Sequence, residues 1–310
     1  VFRAAQAAGR SFDEFLADIA GSENVATISY KLLHEGSPGG DRPFLHPPLD
    51  HVDSHVVLIT GTGLTHTGSM QSRDEMHTSD DGESAKPQTD SAKMFDMGLQ
   101  GGKPSAGNRG AAPEWFYKGS GVNLRGHRWS LEKPAFALDG GEEPELVGCY
   151  IIDEAGTPRR LGFALGNEWS DHATENINYL YLAPSKLRTC AVGPELITDF
   201  DFSRLSLRCT VSRHNETIYD SGELFSGEEF MCHSLANCED HHFKYPQHRQ
   251  PGDVHLHYFG TSKLSHTSRD WKYQAGDEIT VAAEKFGAPL VNVVQAGDPN
   301  LTQPVTVKPA

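Results

Sequence analysis

Long apolar runs are missing from this chain. No stretch of about 18 apolar residues occurs, so no helix of it is expected to cross a membrane. Basic residues are scarce: 27 Lys and Arg stand against 42 Asp and Glu, a net charge of −15 over 310 residues. That sign excludes nucleic acid and anionic membrane as expected partners, because both need a basic face. Cysteine is sparse and unpaired in pattern: Cys149, Cys190, Cys209, Cys232 and Cys238 are odd in number and form no Cys-x-x-Cys. This is neither a disulfide framework nor a zinc ribbon, and reads as thiols kept reduced in the cytoplasm. A secretory pattern is also lacking, and the opening Val1, without an initiator methionine, points to a start trimmed upstream.

Turn formers, by contrast, are plentiful. The chain has 31 Gly and 18 Pro, which favours many short strands. With 37% hydrophobic and 22% charged residues it has the balance of a packed globular protein. Its length suggests two domains at about 150 residues each, or one large β-rich domain with an appendage. We expect a small N-terminal α/β domain over residues 1–54 and a larger domain over 55–310. Residues 2–20 read as helical, with a capping box at Ser11-Phe12-Asp13-Glu14. Residues 34–54, rich in Gly and Pro, read as loop, and 55–60 as a short buried strand. The long polar segment 71–107 reads as a structureless lid or a disordered stretch. Beyond residue 135 the pattern is mostly β. Runs at 145–153 and 159–165 flank one hairpin turn, and runs at 205–212 and 217–221 flank another. Alternation marks 254–260 and 278–282 as strands. Residues 174–187 read as helix with Ile177, Leu180 and Tyr181 on one face. The expected class is therefore β-dominated α+β.

Carboxylates carry the first chemical signal. Glu143 and Glu145 sit at i and i+2, which on a strand puts both on one face. Burying two like charges side by side is costly unless a cation lies between them. Hard divalent cations take such oxygen ligands, so Mg²⁺, Mn²⁺ or Ca²⁺ is one solution and plain solvation the other. In a hairpin Glu168 returns towards the pair, or else it caps the helix after it.

Residues 113–294 resemble the fumarylacetoacetate hydrolase family in a series of segments. These are Pro113-Glu114-Trp115-Phe116-Tyr117-Lys118 for Pro-x-x-Phe-x-Lys, and Glu143-Pro144-Glu145 for the Glu-x-Glu strand. Next comes Gly162-Phe163-Ala164-Leu165-Gly166-Asn167-Glu168-Trp169-Ser170-Asp171-His172 for Gly-Tyr-x-x-x-Asn-Asp-x-Ser-x-Arg. Lys186 through Gly193-Pro194, Pro251-Gly252-Asp253, Phe259-Gly260-Thr261 and a Gly287–Val294 turn and strand with Asn292 come after these in order. The resemblance implies a mixed β-roll or sandwich as the catalytic domain, a divalent metal held by Glu143, Glu145 and Glu168, and a homodimer. Three positions depart from the family: Glu168 replaces an Asp, His172 an Arg, and Glu175 a Gln. The stretch around them resembles the branch of 2-keto-3-deoxy sugar-acid dehydratases.

In that setting a 2-keto acid chelates the metal, and the acidified C3 position lets a C4 hydroxyl leave as water. The expected reaction is dehydration of a 2-keto-3-deoxy pentonate to 2,5-dioxopentanoate through a metal-stabilised enolate. C–C hydrolysis of a 2,4-diketo acid is the alternative, and a non-catalytic sugar-acid-binding protein a second one. Lys186 is expected to stabilise the enolate charge or act as C3 base, the latter only with a lowered pKa. Gly260 and Thr261 are expected to bind the substrate carboxylate, and Lys118 to pair with the metal carboxylates or the substrate. His66 is a candidate acid or base oriented by Glu75; His172 would protonate the leaving hydroxyl, and Glu175 would accept hydrogen bonds from a polyol. Asp240-His241-His242 and His255-Leu256-His257 offer a different metal reading, but the alternation at 254–258 favours histidines lining a cleft or a dimer surface.

Overall fold

The computed structural model describes residues 1–22, 25–68 and 89–310. Its strands in chain order are β1 (Val57–Gly61), β2 (Phe116–Ser120), β3 (Leu124–Arg125), β4 (Ser130–Lys133), β5 (Pro144–Ile152), β6 (Pro158–Asn167) and β7 (Cys190–Val192). Then come β8 (Leu205–Arg213), β9 (Glu216–Asp220), β10 (Leu224–Ser226), β11 (Val254–Tyr258), β12 (Glu278–Ala283) and β13 (Leu290–Ala296). They form two sheets. The larger runs β2-β1-β11-β5-β6-β7-β3, and the smaller runs β10-β8-β12-β13-β4 with β9 paired to β8.

Period-two patterning decides where the sheets meet. On β8, Leu205, Leu207, Cys209 and Val211 are buried while Arg208 is exposed. These residues join Leu146, Phe163 and Leu165 of the larger sheet in one core between the sheets. β5 is buried along both faces, because a second core of Val57, Ile59, Val147, Cys149, Val254 and Leu256 covers the far side of the larger sheet. The fold is thus the β-rich roll expected. Both hairpins form: β5 pairs antiparallel with β6 and β8 with β9. The tight β8–β9 turn has positive φ at His214 and Asn215, as a two-residue turn of the hairpin type requires. All five cysteines are free and buried.

Gly162 fits the irregular point of the β5–β6 pair. β6 shifts register against β5 between Cys149 and Tyr150, and Gly162 takes φ +150° there. A Cβ at Gly162 would lie 2.2 Å from the carbonyl oxygen of Ile197. Gly162→Ala is therefore expected to cost about 2–4 kcal/mol, combining backbone strain with overpacking. Urea unfolding checks this, and a loss below about 0.5 kcal/mol would contradict the assignment.

Several expectations need correction. Residues 1–54 carry helices Phe2–Ala7, Phe12–Ala20 and Tyr30–Glu35 and no strand among the described residues, so this part is helical rather than α/β. The Ser11 capping box with Glu14 is present. In the polar segment 71–107, residues 71–88 lie outside the described residues, but Asp90–Gly101 is a helix capped by Thr89. Gly98 lets it press closely against Cys232 and His233, which is why few apolar residues suffice. The stretch 174–187 is not one helix. Asn178, extended at φ −162°, separates His172–Ile177 from a 3₁₀ turn at Tyr179–Tyr181 and the helix Leu182–Lys186. Its apolar side chains Ile177, Leu180 and Tyr181 are exposed instead of packed.

His255 and His257 line no surface. They are fully buried beneath the helix Leu235–Phe243, where His242 Nε2 meets His255 Nδ1 at 2.9 Å and Thr60 Oγ1 meets His257 Nδ1 at 2.8 Å. Burial pushes both down to about 3. The unfolded chain therefore binds more protons than the folded one below the free-histidine value of about 6.5, so stability is lost as pH falls from there towards about 3. At pH 5 each should cost roughly 2 kcal/mol, at about 1.4 kcal/mol per pH unit. Thermal unfolding at pH 7 and pH 5 should show this drop, and a flat profile would refute it.

Candidate active site and metal centre

Glu143 stands immediately before β5, Glu145 is its second residue, and Glu168 comes directly after the last residue of β6. The hairpin register pairs Pro144 with Asn167, and the Glu168 N–H donates to the Glu143 carbonyl at 2.9 Å. One carboxylate oxygen from each of the three then lies within 4.8 Å of the others, and all three residues are buried. The expected trio is brought together.

Glu145 Oε2 accepts the Gly260 N–H at 2.6 Å, while its Oε1 is buried without a partner. Burial first, then repulsion from Glu168 and Glu143, raises its carboxyl well above the usual range. Burial and Glu143 also raise Glu168, against the pull of Lys186 and Lys118. Burial would raise Glu143 too, but Lys186 and His172 outweigh it and hold it low.

Two lysines answer this charge. The helix Leu182–Lys186 delivers Lys186, whose Nζ donates to Glu143 Oε1 and to Glu168 Oε2 at 3.3 Å and lies 4.8 Å over the Phe116 ring. β2 delivers Lys118, fully buried, 3.3 Å from Glu168 Oε1 and bonded to the Trp169 carbonyl. Burial lowers Lys118, partly offset by Glu168. Burial would lower Lys186 as well, yet Glu143, Glu168 and Glu175 together raise it. In the metal-free site these carboxylates hold Lys186 as an ammonium.

Asp171 organises the next segment. Its carboxylate accepts the Thr174 N–H at 3.1 Å, capping His172–Ile177, and its N–H donates to Ser185 O at 3.1 Å, tying the two short helices together. His172 Nε2 donates to Glu143 Oε1 at 3.0 Å. Its Nδ1 is buried without a partner against Gly141, where a Cβ would sit 2.1 Å away. The His172 proton thus points at a carboxylate and not into open space. Glu175, Gly260 and Thr261 line the same cavity as Glu143, His172 and Lys186.

Other expected site residues make contacts of their own. The Gly260 N–H is given to Glu145 rather than left for a substrate carboxylate, and Thr261 Oγ1 donates to Lys263 O at 3.2 Å. His66 is buried, 3.0 Å from both Thr65 Oγ1 and Ser226 Oγ, and borders a neighbouring cavity shared with Glu223 and Phe230. Burial pushes it down to about 4. Glu75 lies outside the described residues. Sequence reasoning missed Glu114, a buried lining carboxylate that Gly63 leaves room for, and Lys263. Glu114 stands within the Pro113–Lys118 segment, which was the available signal; nothing local distinguishes Lys263.

A divalent cation fits these residues. The donors are hard oxygens, one of them is orphaned in the interior, and two ammonium groups leave one of the three carboxylates unbalanced.

No family model matches the chain. A curated relative, a probable 2-keto-3-deoxyxylonate dehydratase of Haloferax volcanii, is 25% identical over 248 residues, covering 76% of this chain and 74% of the relative. A solved 2-keto-3-deoxy-D-arabinonate dehydratase in its apo form superposes with a TM-score of 0.63 at 19% identity, over 88% of this chain and 83% of that one. The chain has the fold of these sugar-acid dehydratases. The same enzyme complexed with magnesium and 2,5-dioxopentanoate gives a TM-score of 0.61 at 20% identity, covering 88% and 82%. A 5-carboxymethyl-2-hydroxymuconate delta-isomerase from Mycobacterium smegmatis gives 0.50 at 18%, covering 82% of each. The β-rich fold expected from the resemblance is thus borne out, and the curated relative is itself a sugar-acid dehydratase.

Proposed function

We propose that this chain is a Mg²⁺-dependent hydro-lyase that dehydrates a 2-keto-3-deoxy pentonate to 2,5-dioxopentanoate. The observation that carries the reading is the buried trio Glu143, Glu145 and Glu168 with protonated Lys186 bonded to two of them. The curated relative and the neighbours that share the fold support the substrate class. Glu143, Glu145 and Glu168 would hold the ion, for which Mn²⁺ or Ca²⁺ are chemically acceptable substitutes. When bound, it supplies a Lewis acid that acidifies the C3 protons of a 2-keto acid.

The side chains divide the remaining work. Lys186 supplies a fixed positive charge where negative charge develops on the substrate oxygens. Lys118 balances Glu168 from behind. His172 orients Glu143 through its Nε2–H, a role that replaces direct protonation of the leaving group. Glu175 and Glu114 are the cavity-lining carboxylates placed to exchange protons and to accept hydrogen bonds from the hydroxyl groups. Loss of water takes one hydrogen from C3 and the hydroxyl from C4. A proton then leaves C5 and one returns to C3, giving the C4=C5 enol, which becomes the aldehyde as C4 takes a proton and the enol O–H loses one.

We further propose that a second copy covers the exposed Ile177, Leu180, Tyr181 and Leu187 beside the site, and that the protein works in a reducing compartment, the cytoplasm, where its five thiols stay free. A one-chain mass in solution would sink the dimer. Residues 1–54 would form the smaller unit and 55–310 the catalytic one.

Product analysis in ¹⁸O-water tests the reaction. Incubation of the Mg²⁺-loaded protein with a panel of 2-keto-3-deoxy acids should give one unsplit keto-aldehyde and no pyruvate. Pyruvate from a 2,4-diketo acid, with no turnover of any 3-deoxy sugar acid, would replace dehydration by C–C hydrolysis.

A further inference from the structure

Glu142 is 1% exposed, as deeply buried as the carboxylates beside it, yet it turns away from them. Its Oε1 accepts the Ser265 N–H at 2.6 Å. Its Oε2 accepts Ser265 Oγ–H at 2.7 Å and Tyr273 Oη–H at 2.6 Å. Ser265 opens the 3₁₀ turn Ser265–Thr267, and Thr261, Lys263, Leu264 and Thr267 of this loop form one wall of the cavity. The turn also touches the site directly: His266 packs on the His172 ring at 5.2 Å and meets Asn176 at 2.9 Å. Tyr273 is braced by Trp169, the neighbour of Glu168, at 4.8 Å. Just past the loop, Arg269 donates to Asp139 Oδ2 at 2.9 Å and to Gly140 O at 2.6 Å.

A leucine at position 142 would pack in this interior without the desolvation penalty of a carboxylate. It would leave the Ser265 N–H buried without an acceptor. The carboxylate therefore serves position rather than packing. We infer that Glu142 is a positioning residue that holds the wall loop 260–267 against the Glu143–Glu168 hairpin and so sets how tightly the cavity grips its substrate. The loop is held at two points: Glu142 fixes the Ser265 turn, and Glu145 fixes Gly260. Only the first is free of any part in holding a cation. The kinetic part of this inference rests on the proposed dehydratase reaction; the structural part does not.

The test uses the Mg²⁺-loaded full chain as wild type, Glu142→Ala and Glu142→Gln. Gln keeps an oxygen for the Ser265 N–H and a donor for the two hydroxyls. In Glu142→Ala, amide exchange over 260–267 should speed up at least about 10-fold, and in Glu142→Gln by less than about 3-fold. With a 3-deoxy sugar acid, Glu142→Ala should raise KM by about 10–100-fold with kcat within about 3-fold, and Gln should restore KM to within about 3-fold. Calorimetric Mg²⁺ affinity should be unchanged in both. Unchanged exchange in Glu142→Ala, a fall in kcat at constant KM, or lost Mg²⁺ binding would each overturn the inference. If Glu142→Ala does not fold, Ser265→Ala, which removes one donor, should move exchange and KM in the same direction by about 3-fold, and no movement there overturns the clamp. If wild type turns over no sugar acid, the dehydratase reading falls and the exchange experiment alone decides the role of Glu142.

Discussion

Glu145→Gln is expected to abolish turnover while making the metal-free protein more stable. Glu145 has one oxygen on the Gly260 N–H and the other buried without a partner, between two further carboxylates. Its folded pKa is raised above the free-carboxyl value of about 4.3. Above that pH the folded state binds more protons than the unfolded one, so stability is present at low pH and lost as pH rises through the folded pKa. Gln is neutral throughout and keeps an oxygen for Gly260. The metal-free variant should therefore gain on the order of 1–3 kcal/mol at pH 7, the size of an uncompensated buried group. Thermal unfolding should show this as a Tm several degrees above wild type. The same scans with Mg²⁺ should raise the wild-type Tm, by up to about 2.7 kcal/mol of stability at 100 times Kd, and leave the variant unmoved. Turnover should fall by at least about 10²–10³-fold, as when one electrostatic group at a reaction centre is lost. A variant that keeps the Mg²⁺-dependent Tm rise removes Glu145 from the metal centre.

Lys186→Met should separate binding from catalysis in the opposite sense. Lys186 is the cation that the structure places on both Glu143 and Glu168, with its Nζ over the Phe116 ring. Removing the charge leaves Glu143 with only His172 and Glu168 with only Lys118, which should destabilise the metal-free protein by about 3–5 kcal/mol. A divalent cation then has one competitor fewer, so the Mg²⁺-induced rise in Tm should exceed that of wild type. Turnover should nevertheless collapse by about 10²–10³-fold, because the fixed positive charge near the substrate oxygens is gone. Calorimetry and steady-state kinetics on one preparation decide it. Weaker Mg²⁺ binding, or kcat near wild type, would show that Lys186 does something else.

The metal carboxylates were legible because their geometry is local. A two-residue period puts Glu143 and Glu145 together, and a Gly-Thr-Pro turn between two β runs brings Glu168 back. The lysines were legible only through the family resemblance, since a buried Lys looks like any other Lys in a sequence. Glu142 was invisible for a physical reason. It neighbours Glu143 and shares its charge, and what distinguishes it are Ser265 and Tyr273, 123 and 131 residues away. The histidines on β11 misled because alternation signals a half-exposed strand, whereas β11 is central and its second face is covered by the helix Leu235–Phe243. Helix Asp90–Gly101 was missed because its burial rests on close approach at a glycine, not on an apolar stripe. The N-terminal residues were expected to include strand, but their short helices answer to caps at Ser11 and Ser29.

The parallel pairing of β1 with β11 ties the site to the order in which the chain is made. Thr60 and His257 meet across 197 residues of sequence. At about 5–20 residues per second of translation, β1 waits roughly 10–40 s for this neighbour to leave the ribosome. The β5–β6 hairpin that carries the three carboxylates is nearly complete in sequence by Glu168 and can form early from local contacts. Gly260, which anchors Glu145, arrives only with the segment after β11. The carboxylates are therefore assembled on the nascent chain well before the wall that encloses them, and an apolar strand beside them stays open in the interval, as a chaperone or an aggregation partner would find it.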